Sequence, residues 1–90
     1  MSGRIRKGKR GMEYDFDKVD EVALALLALT HFKYHGQTRA WKTIDFGVMD
    51  RLYEKGFIED PRNKNRSVAM TEDGVKRSLE LFERFFGKKP

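Results

Sequence analysis

Two histidines, His31 and His35, have the spacing of a metal-binding pair. At four residues apart on a helix, their imidazoles would share one face and could hold a zinc ion. Phe32 and Lys33 follow His31, so the HExxH pattern is absent, and no acid lies close in sequence to add a third ligand. Two surface histidines at a helix end are the simpler interpretation. We therefore predict no metal site and no cofactor.

Catalytic patterns are also absent from the sequence. Ser67 and Ser78 lie outside any GxSxG segment, and Thr71 is better explained as a helix cap. No glycine-rich segment has the strand-to-helix context that cradles phosphate. The chain has no cysteine, which excludes disulfides and thiolate metal sites. We predict that the protein is not an enzyme and that it has no small-molecule ligand.

Basic residues supply the remaining chemistry, which is contact with nucleic-acid phosphates. Arg62, Lys64 and Arg66 alternate along a short segment with no acid between them. Such cations suit the positioning of a protein on the backbone of duplex DNA. Basic turns are also common on soluble proteins, and the sequence leaves both explanations open. The full set of candidate nucleic-acid-binding residues is Arg62, Lys64, Arg66, Arg39, Lys42, Arg51, Arg4, Arg6, Lys7, Lys9 and Arg10.

The first eleven residues account for the net charge of +5. Removing their five cations from the 19 lysines and arginines leaves 14, which balance the 14 acids. We expect residues 1–11 to form a disordered basic arm and residues 12–90 to form one domain. The arm either grips phosphate, or it is a disordered, solubilising tail or an upstream extension of a protein whose natural start is Met12.

Hydrophobic periodicity predicts three helices in that domain. The first is expected over residues 18–34 with Asp17 as its N-cap, the second over residues 44–55, and the third over residues 72–86. Residues 38–43 are too few for a further full helix, so we predict a short helical turn there. Trp41, within that turn, is expected to anchor the core.

The exposed face of the second helix carries more acids than cations. Asp45, Asp50 and Glu54 are accompanied there by a single cation, Arg51. If this helix entered the major groove of DNA, these carboxylates would be repelled by the phosphates. We therefore expect weak sequence selectivity.

The third helix carries more apolar surface than a small core needs. Its stripe either closes the core or pairs with a second copy of the chain, because large exposed apolar patches are rare on monomers. We expect a homodimer whose interface includes Leu81, Phe82, Phe85 and Phe86.

Residues 51–82 have the order of a helix end, a strand, a basic turn, a strand and a new helix. Gly56 suits the left-handed position after a helix cap, and residues 67–70 alternate polar and apolar as a half-buried strand does. This segment resembles the wing region of MarR-type winged-helix regulators. The matching residues are Leu52, Lys55, Gly56, Phe57, Ile58, Met70, Thr71 and Gly74.

A wider resemblance covers nearly all of residues 12–90. The segments MEYDFDKVDEVALALLAL, RAWKTIDF and MDRLYEKGFI look like those of a small bacterial family of unknown function. The resemblance to MarR-type regulators implies an α+β winged helix with three main helices and a two-stranded β-hairpin wing, and the wider resemblance supplies a family and no activity.

These observations favour a transcription-regulator-like protein that binds duplex DNA through the wing and the arm. The alternative is a protein–protein interaction or dimerisation module that kept the winged-helix fold without binding DNA. The longest apolar run, residues 22–29, is too short to span a bilayer, and no hydrophobic region follows the basic N-terminus. We therefore expect a cytoplasmic protein with no membrane partner.

Overall fold

The computed structural model describes residues 13–88 in full and the backbone alone of residues 5–7. Within these ranges the chain is a mixed α+β fold with three helices and a three-stranded antiparallel sheet, beside a two-stranded sheet. The helices are α1 (Phe16–Thr30), α2 (Phe46–Glu54) and α3 (Glu72–Phe86). The strands are β1 (Ile5–Lys7), β2 (Glu13–Asp15), β3 (Phe32–Tyr34), β4 (Gln37–Trp41) and β5 (Ser67–Ala69).

The helix α1 starts and ends earlier than its sequence predicts. Asp15, and not Asp17, is the N-cap, because its Oδ1 accepts from the backbone N–H groups of Asp17 at 3.1 Å and Lys18 at 3.2 Å. The helix closes where the N–H of His31 donates to the carbonyl of Leu27 at 2.9 Å. The chain then becomes extended, and residues 32–34, predicted to be helical, form β3.

A tight hairpin joins β3 to β4. His35 and Gly36 have φ angles of 50° and 79°, and two successive residues with positive φ are what a two-residue hairpin turn requires. Phe32 lies opposite Arg39, and Tyr34 lies opposite Gln37. The prediction of a short helical turn over residues 38–43 is therefore wrong, because the sequence forms β4 over most of that range.

The predicted two-stranded wing is replaced by a three-stranded sheet in the order β3-β4-β5. The strand β5 pairs with β4, with Val68 opposite Ala40. Residues 57–59 lie on the other side of β5, where Ile58 forms an isolated bridge with Met70. The Glu59 N–H donates to the Ala69 carbonyl at 2.9 Å, and the Thr71 N–H donates to the Phe57 carbonyl at 3.1 Å. Pro61 follows closely and lacks the N–H that a longer ladder needs.

The core lies between the three helices and one face of the sheet. Leu24 of α1, Met49 and Leu52 of α2, and Leu81 of α3 are each about 1% exposed. Ala40 and Val68 close the core from the sheet side. No helix in the described part of the chain is long and apolar enough to cross a membrane.

The start of α3 is where the sequence prediction and the structure agree best. The predicted bounds of α3 are confirmed, and the Thr71 hydroxyl caps it by accepting from the Gly74 N–H at 2.9 Å. Gly56, after α2, has the predicted left-handed conformation with a φ of 83°. At Gly74 the reason for glycine is steric, since a Cβ there would lie 1.8 Å from the carbonyl oxygen of Phe57.

A buried charge cluster joins α1 to α2. Asp20 is 1% exposed, and its carboxylate accepts from Arg51 through Nε at 2.7 Å and through the terminal guanidinium nitrogen at 2.8 Å. Lys55 donates to the same carboxylate at 3.0 Å. The two cations offset part of the cost of burying the carboxylate away from water.

We expect Asp20→Ala to lower the free energy of unfolding by about 3–5 kcal/mol, since it leaves the half-buried Arg51 guanidinium without its carboxylate. Urea unfolding measures the change. Glu21→Ala is the matched control, because among the described residues the ion pair of Glu21 is an exposed one with Arg77 at 3.8 Å, and its loss should cost no more than about 1 kcal/mol. Equal midpoints for the two variants would show that the cluster does not stabilise the fold.

We expect Gly74→Ala to destabilise the protein by about 1–3 kcal/mol, since the added methyl group pushes α3 away from the Phe57 carbonyl. Thermal unfolding followed by circular dichroism checks this. Lys76→Ala, at an exposed position of the same helix, should change stability by no more than about 0.5 kcal/mol. A Gly74→Ala protein as stable as the wild type would contradict the close approach.

Candidate nucleic-acid interface

The face of the three-stranded sheet that points away from the core is aromatic. Strand alternation turns Ala40 and Val68 inward and Arg39 and Trp41 outward. Phe32 stacks on Trp41 with ring centroids 4.7 Å apart and an interplanar angle of 29°. Trp41 remains 47% exposed, so its predicted role as a core anchor is wrong. We call this surface the outer sheet face.

Arg39 is held rigidly at the centre of the outer sheet face. Its Nε donates to the Ser67 hydroxyl at 2.9 Å, and one terminal nitrogen donates to the Ser67 carbonyl at 2.9 Å. The other terminal nitrogen donates to the Gln37 side-chain oxygen at 2.8 Å. These bonds tie β4 to β5 and place a fixed positive charge beside the aromatic pair.

A shallow cleft of about 640 Å³ lies over this surface. Its walls include Tyr34 and His35 at one end and Asn65 and Arg66 at the other. None of the nine residues that line the cleft is acidic. The cleft therefore presents aromatic rings and positive charge together, which is the combination that unpaired nucleotides bind.

Lys42 shapes the loop that borders the cleft. Its Nζ donates to the Pro61 carbonyl at 2.7 Å and to the Asn63 side-chain oxygen at 2.8 Å. Its backbone N–H donates to the Arg66 carbonyl at 2.9 Å. These bonds hold residues 61–66 in place, and they occupy the Lys42 ammonium group.

Arg62 folds back onto α2. Its guanidinium pairs with the Asp50 carboxylate and, at 3.2 Å, with that of Asp60. The same group lies 5.6 Å from the centre of the Tyr53 ring. Arg62 therefore neutralises acids of its own surroundings, although it was predicted to contact phosphate.

The side chains of the loop cations Lys64 and Arg66 are exposed. Among the described residues, neither side chain has an ion-pair or hydrogen-bond partner. They lie at the tip of the loop and at the rim of the cleft, respectively. Of the three alternating cations in the sequence, these two keep their charge available to a ligand.

Arg51 was predicted on the exposed face of α2, and that placement is wrong. Its side chain is 14% exposed and forms the bidentate pair with Asp20. The hydrogen bond to Asp20 raises the pKa of Arg51 above its ordinary value, while burial acts in the opposite direction. The guanidinium also lies 4.9 Å from the Phe16 ring centre. Arg51 is part of the interior of the fold.

The predicted basic arm is described only in part. Arg6 and Lys7 belong to β1, whose backbone pairs antiparallel with β2. Arg4, Lys9 and Arg10 lie outside the described residues.

The two histidines do not share a helix face. His31 follows the end of α1 and His35 lies in the hairpin turn beyond β3, so the geometry that suggested a metal pair does not arise. No group of three potential ligands comes together in residues 13–88.

The predicted dimer interface on α3 is largely used inside the subunit. Leu81 is 1% exposed and belongs to the core, and Phe82 and Phe85 pack partly against it. Phe86 remains 48% exposed. The core-facing side of α3 also includes Ser78, which is fully buried and donates its hydroxyl to the Val75 carbonyl at 2.8 Å. A hydrophobicity pattern counts serine as polar and therefore misses this position.

The outer sheet face itself was not foreseen in the sequence. Its signal was present in the pair His35-Gly36, because histidine tolerates positive φ better than most residues and glycine favours it. Flanked by the β-favouring pairs Phe32/Tyr34 and Thr38/Trp41, that pair is typical of a two-residue hairpin.

Comparison with known proteins places the described domain in context. Residues 15–88 match a family described as a domain of unknown function, DUF6429. The chain is also similar to the uncharacterized protein y4hR of Sinorhizobium fredii (strain NBRC 101917 / NGR234), with 49% identity over 75 residues, or 83% of this chain and 97% of that protein. No solved structure matches the chain significantly. The predicted small family of unknown function is confirmed, and neither match shows the MarR-type wing.

Proposed function

The chain belongs to the DUF6429 family, and we propose that it binds nucleic acid at the outer sheet face and the adjoining loop. One observation carries the proposal. An exposed aromatic pair, Phe32 and Trp41, lies beside the anchored Arg39 in a cleft without acidic residues. Arg66 lies at the rim of that cleft and Lys64 lies two residues before it in the loop, and both cations would contact phosphates of DNA. The proposed role is binding and not catalysis.

We further propose that the fold is a variant winged helix. The β4–β5 pairing, with residues 57–59 on the other side of β5, resembles the three-strand order of a winged helix in which the last strand is central. The loop over residues 60–66 then stands in the wing position, and α2 in that of the recognition helix. In this variant the β3–β4 hairpin replaces the helix that normally precedes the recognition helix.

The surface of α2 favours backbone contact over base reading in this proposal. Asp45 caps the helix through the Val48 N–H, and Asp50 pairs with Arg62. With Arg51 turned inward, the exposed part of α2 has lost its cation. Its carboxylates would be repelled by the phosphates that flank a major groove. Weak sequence selectivity therefore belongs to the proposal.

We expect the double variant Lys64→Ala/Arg66→Ala to bind duplex DNA more weakly than the wild type. The slope of log affinity against log salt should become shallower by about 2, because each phosphate contact releases about one counterion and two contacts are lost. Fluorescence anisotropy of labelled duplexes at several salt concentrations provides the measurement. The loss should be uniform across unrelated sequences, because phosphate contacts carry no sequence information.

Lys76→Ala/Arg84→Ala is the matched control for this experiment, because it removes the same charge from exposed positions on α3. Its effect should be the smaller one. If both double variants weaken binding equally, the contact is a property of net charge and not of the loop. If the wild-type chain binds no nucleic acid at low salt, the proposal fails.

A dimerisation module is the second candidate function, and the surface of α1 favours it. Val19, Leu26 and Leu29 are 40%, 43% and 64% exposed, and Val22 lies half-buried between them. The spacing of three and four residues along this stripe is that of helices that pair along one seam. The stripe is separate from the outer sheet face, so a dimer and nucleic-acid binding are compatible.

We expect Leu29→Glu to convert a concentration-dependent dimer into a monomer, because a charge would be buried in the apolar seam. Sedimentation velocity over a wide range of protein concentration measures the assembly. Leu79→Glu, at a 51% exposed position on α3, should leave the dimer intact. A wild-type chain that sediments as a monomer at every concentration would rule out this second function.

A further inference from the structure

We propose that the outer sheet face stacks the bases of single-stranded nucleic acid, with Trp41 and Tyr34 as the stacking rings and Arg39 as the fixed cation between them. The inference rests on the nucleic-acid binding proposed above and specifies the form of its ligand.

The two rings are placed at the ends of one continuous surface. Tyr34 lies opposite Gln37, and Trp41 lies four residues further along β4 on the same face. At a rise of ~3.3 Å per residue, the two positions are about 13 Å apart along the strands. Tyr34 is 58% exposed and Trp41 is 47% exposed. A sheet surface of this reach suits the stacking of two or three bases.

The packing around each ring limits its freedom before a ligand arrives. Phe32 supports Trp41 from one side in the stacked arrangement. Tyr34 contacts the His35 ring edge-on, with centroids 4.2 Å apart. Rings that are already ordered lose little conformational entropy on binding, which favours stacking on them.

Arg39 is suited to a nucleotide that lies between the rings. The guanidinium has five N–H donors, and three of its nitrogens already donate within the sheet to Ser67 and Gln37. Each terminal nitrogen therefore keeps an N–H for a phosphate oxygen or a base edge. Arg66, at the rim, adds a second positive charge, and no carboxylate lines the cleft to oppose it.

Single strands fit this surface better than a duplex does. In a duplex, the faces of the bases are covered by their neighbours, so aromatic rings on a sheet cannot stack on them without unpairing. Unpaired bases offer their faces freely, and their backbone carries the charge that Arg39 and Arg66 complement. DNA and RNA single strands share this chemistry, and the experiment separates them.

Trp41 is the one tryptophan of the chain, so its fluorescence reports directly on stacking. The full-length protein is titrated with single strands of about eight nucleotides, within the usual range for such sites. Oligothymidine, oligouridine, an abasic strand of equal length and a duplex of equal length form the four arms. Both base-bearing strands are expected to quench Trp41 and to bind more tightly than the abasic strand and the duplex. Quenching by DNA alone or by RNA alone also supports the inference and identifies the preferred sugar.

Variants test the rings one at a time, with a labelled oligothymidine as the probe and anisotropy as the readout. Tyr34→Ala and Trp41→Ala should each lower affinity by roughly 5- to 150-fold, the range found when a stacking ring is removed. Trp41→Phe should restore most of the affinity, because a ring remains. Phe46→Ala removes an aromatic ring that is 57% exposed on α2 and should leave affinity unchanged. Tyr34 is the more exposed ring, so Tyr34→Ala still measures the contribution of stacking to affinity if Trp41→Ala disturbs folding.

Each of three results would overturn the inference and leave nucleic-acid binding in place. One is equal affinity for abasic and base-bearing strands. Another is that Tyr34→Ala and Trp41→Ala both bind as tightly as the wild type while Lys64→Ala/Arg66→Ala still weakens binding. Tighter binding of the duplex than of the single strands would likewise overturn it. Absence of binding to every strand would overturn the proposed function itself.

Discussion

The carboxylate of Asp20 is buried between α1 and α2, and the arrangement of the other helices and surfaces depends on its partners. Arg51, in the C-terminal half of α2, and Lys55, its C-cap residue, both donate to it. A buried carboxylate of this kind tolerates little displacement, because each hydrogen bond that is lost leaves charge without water or a partner. The cluster therefore sets the rotation of α2, with Met49 and Leu52 toward the core and Asp50 toward solvent.

That rotation determines which charges remain on the surface. Because Arg51 is drawn inside, the exposed part of α2 keeps its acids, and Arg62 of the neighbouring loop folds back to pair with Asp50. Lys42 is likewise committed to the loop backbone. Lys64 and Arg66 keep exposed charge beside the sheet. The surface best suited to an anionic ligand is therefore the sheet with its loop, and not the exposed side of α2.

The outer sheet face exists because α1 ends early. Once the chain leaves the helix after Thr30, the positive φ angles of His35 and Gly36 return it antiparallel to itself. Alternation along β4 then buries Ala40 and exposes Arg39 and Trp41. A single hairpin turn therefore creates both a wall of the core and the aromatic surface opposite to it.

The sequence by itself determined the local features of this protein. The bounds and cap of α3, the glycine after α2, the inward stripe of α2 and the alternation of β5 all follow from periodicity and from residues within one turn of each other. Family membership was also recognisable from the residues. Only the tertiary structure decided the strand partner of β5, the inward turn of Arg51 and the exposure of Trp41. The reason is distance along the chain: Asp20 and Arg51 are 31 residues apart, and Arg39 and Ser67 are 28 apart. Whether a cation meets a carboxylate or stays free for a ligand depends on such pairs, which packing alone brings together.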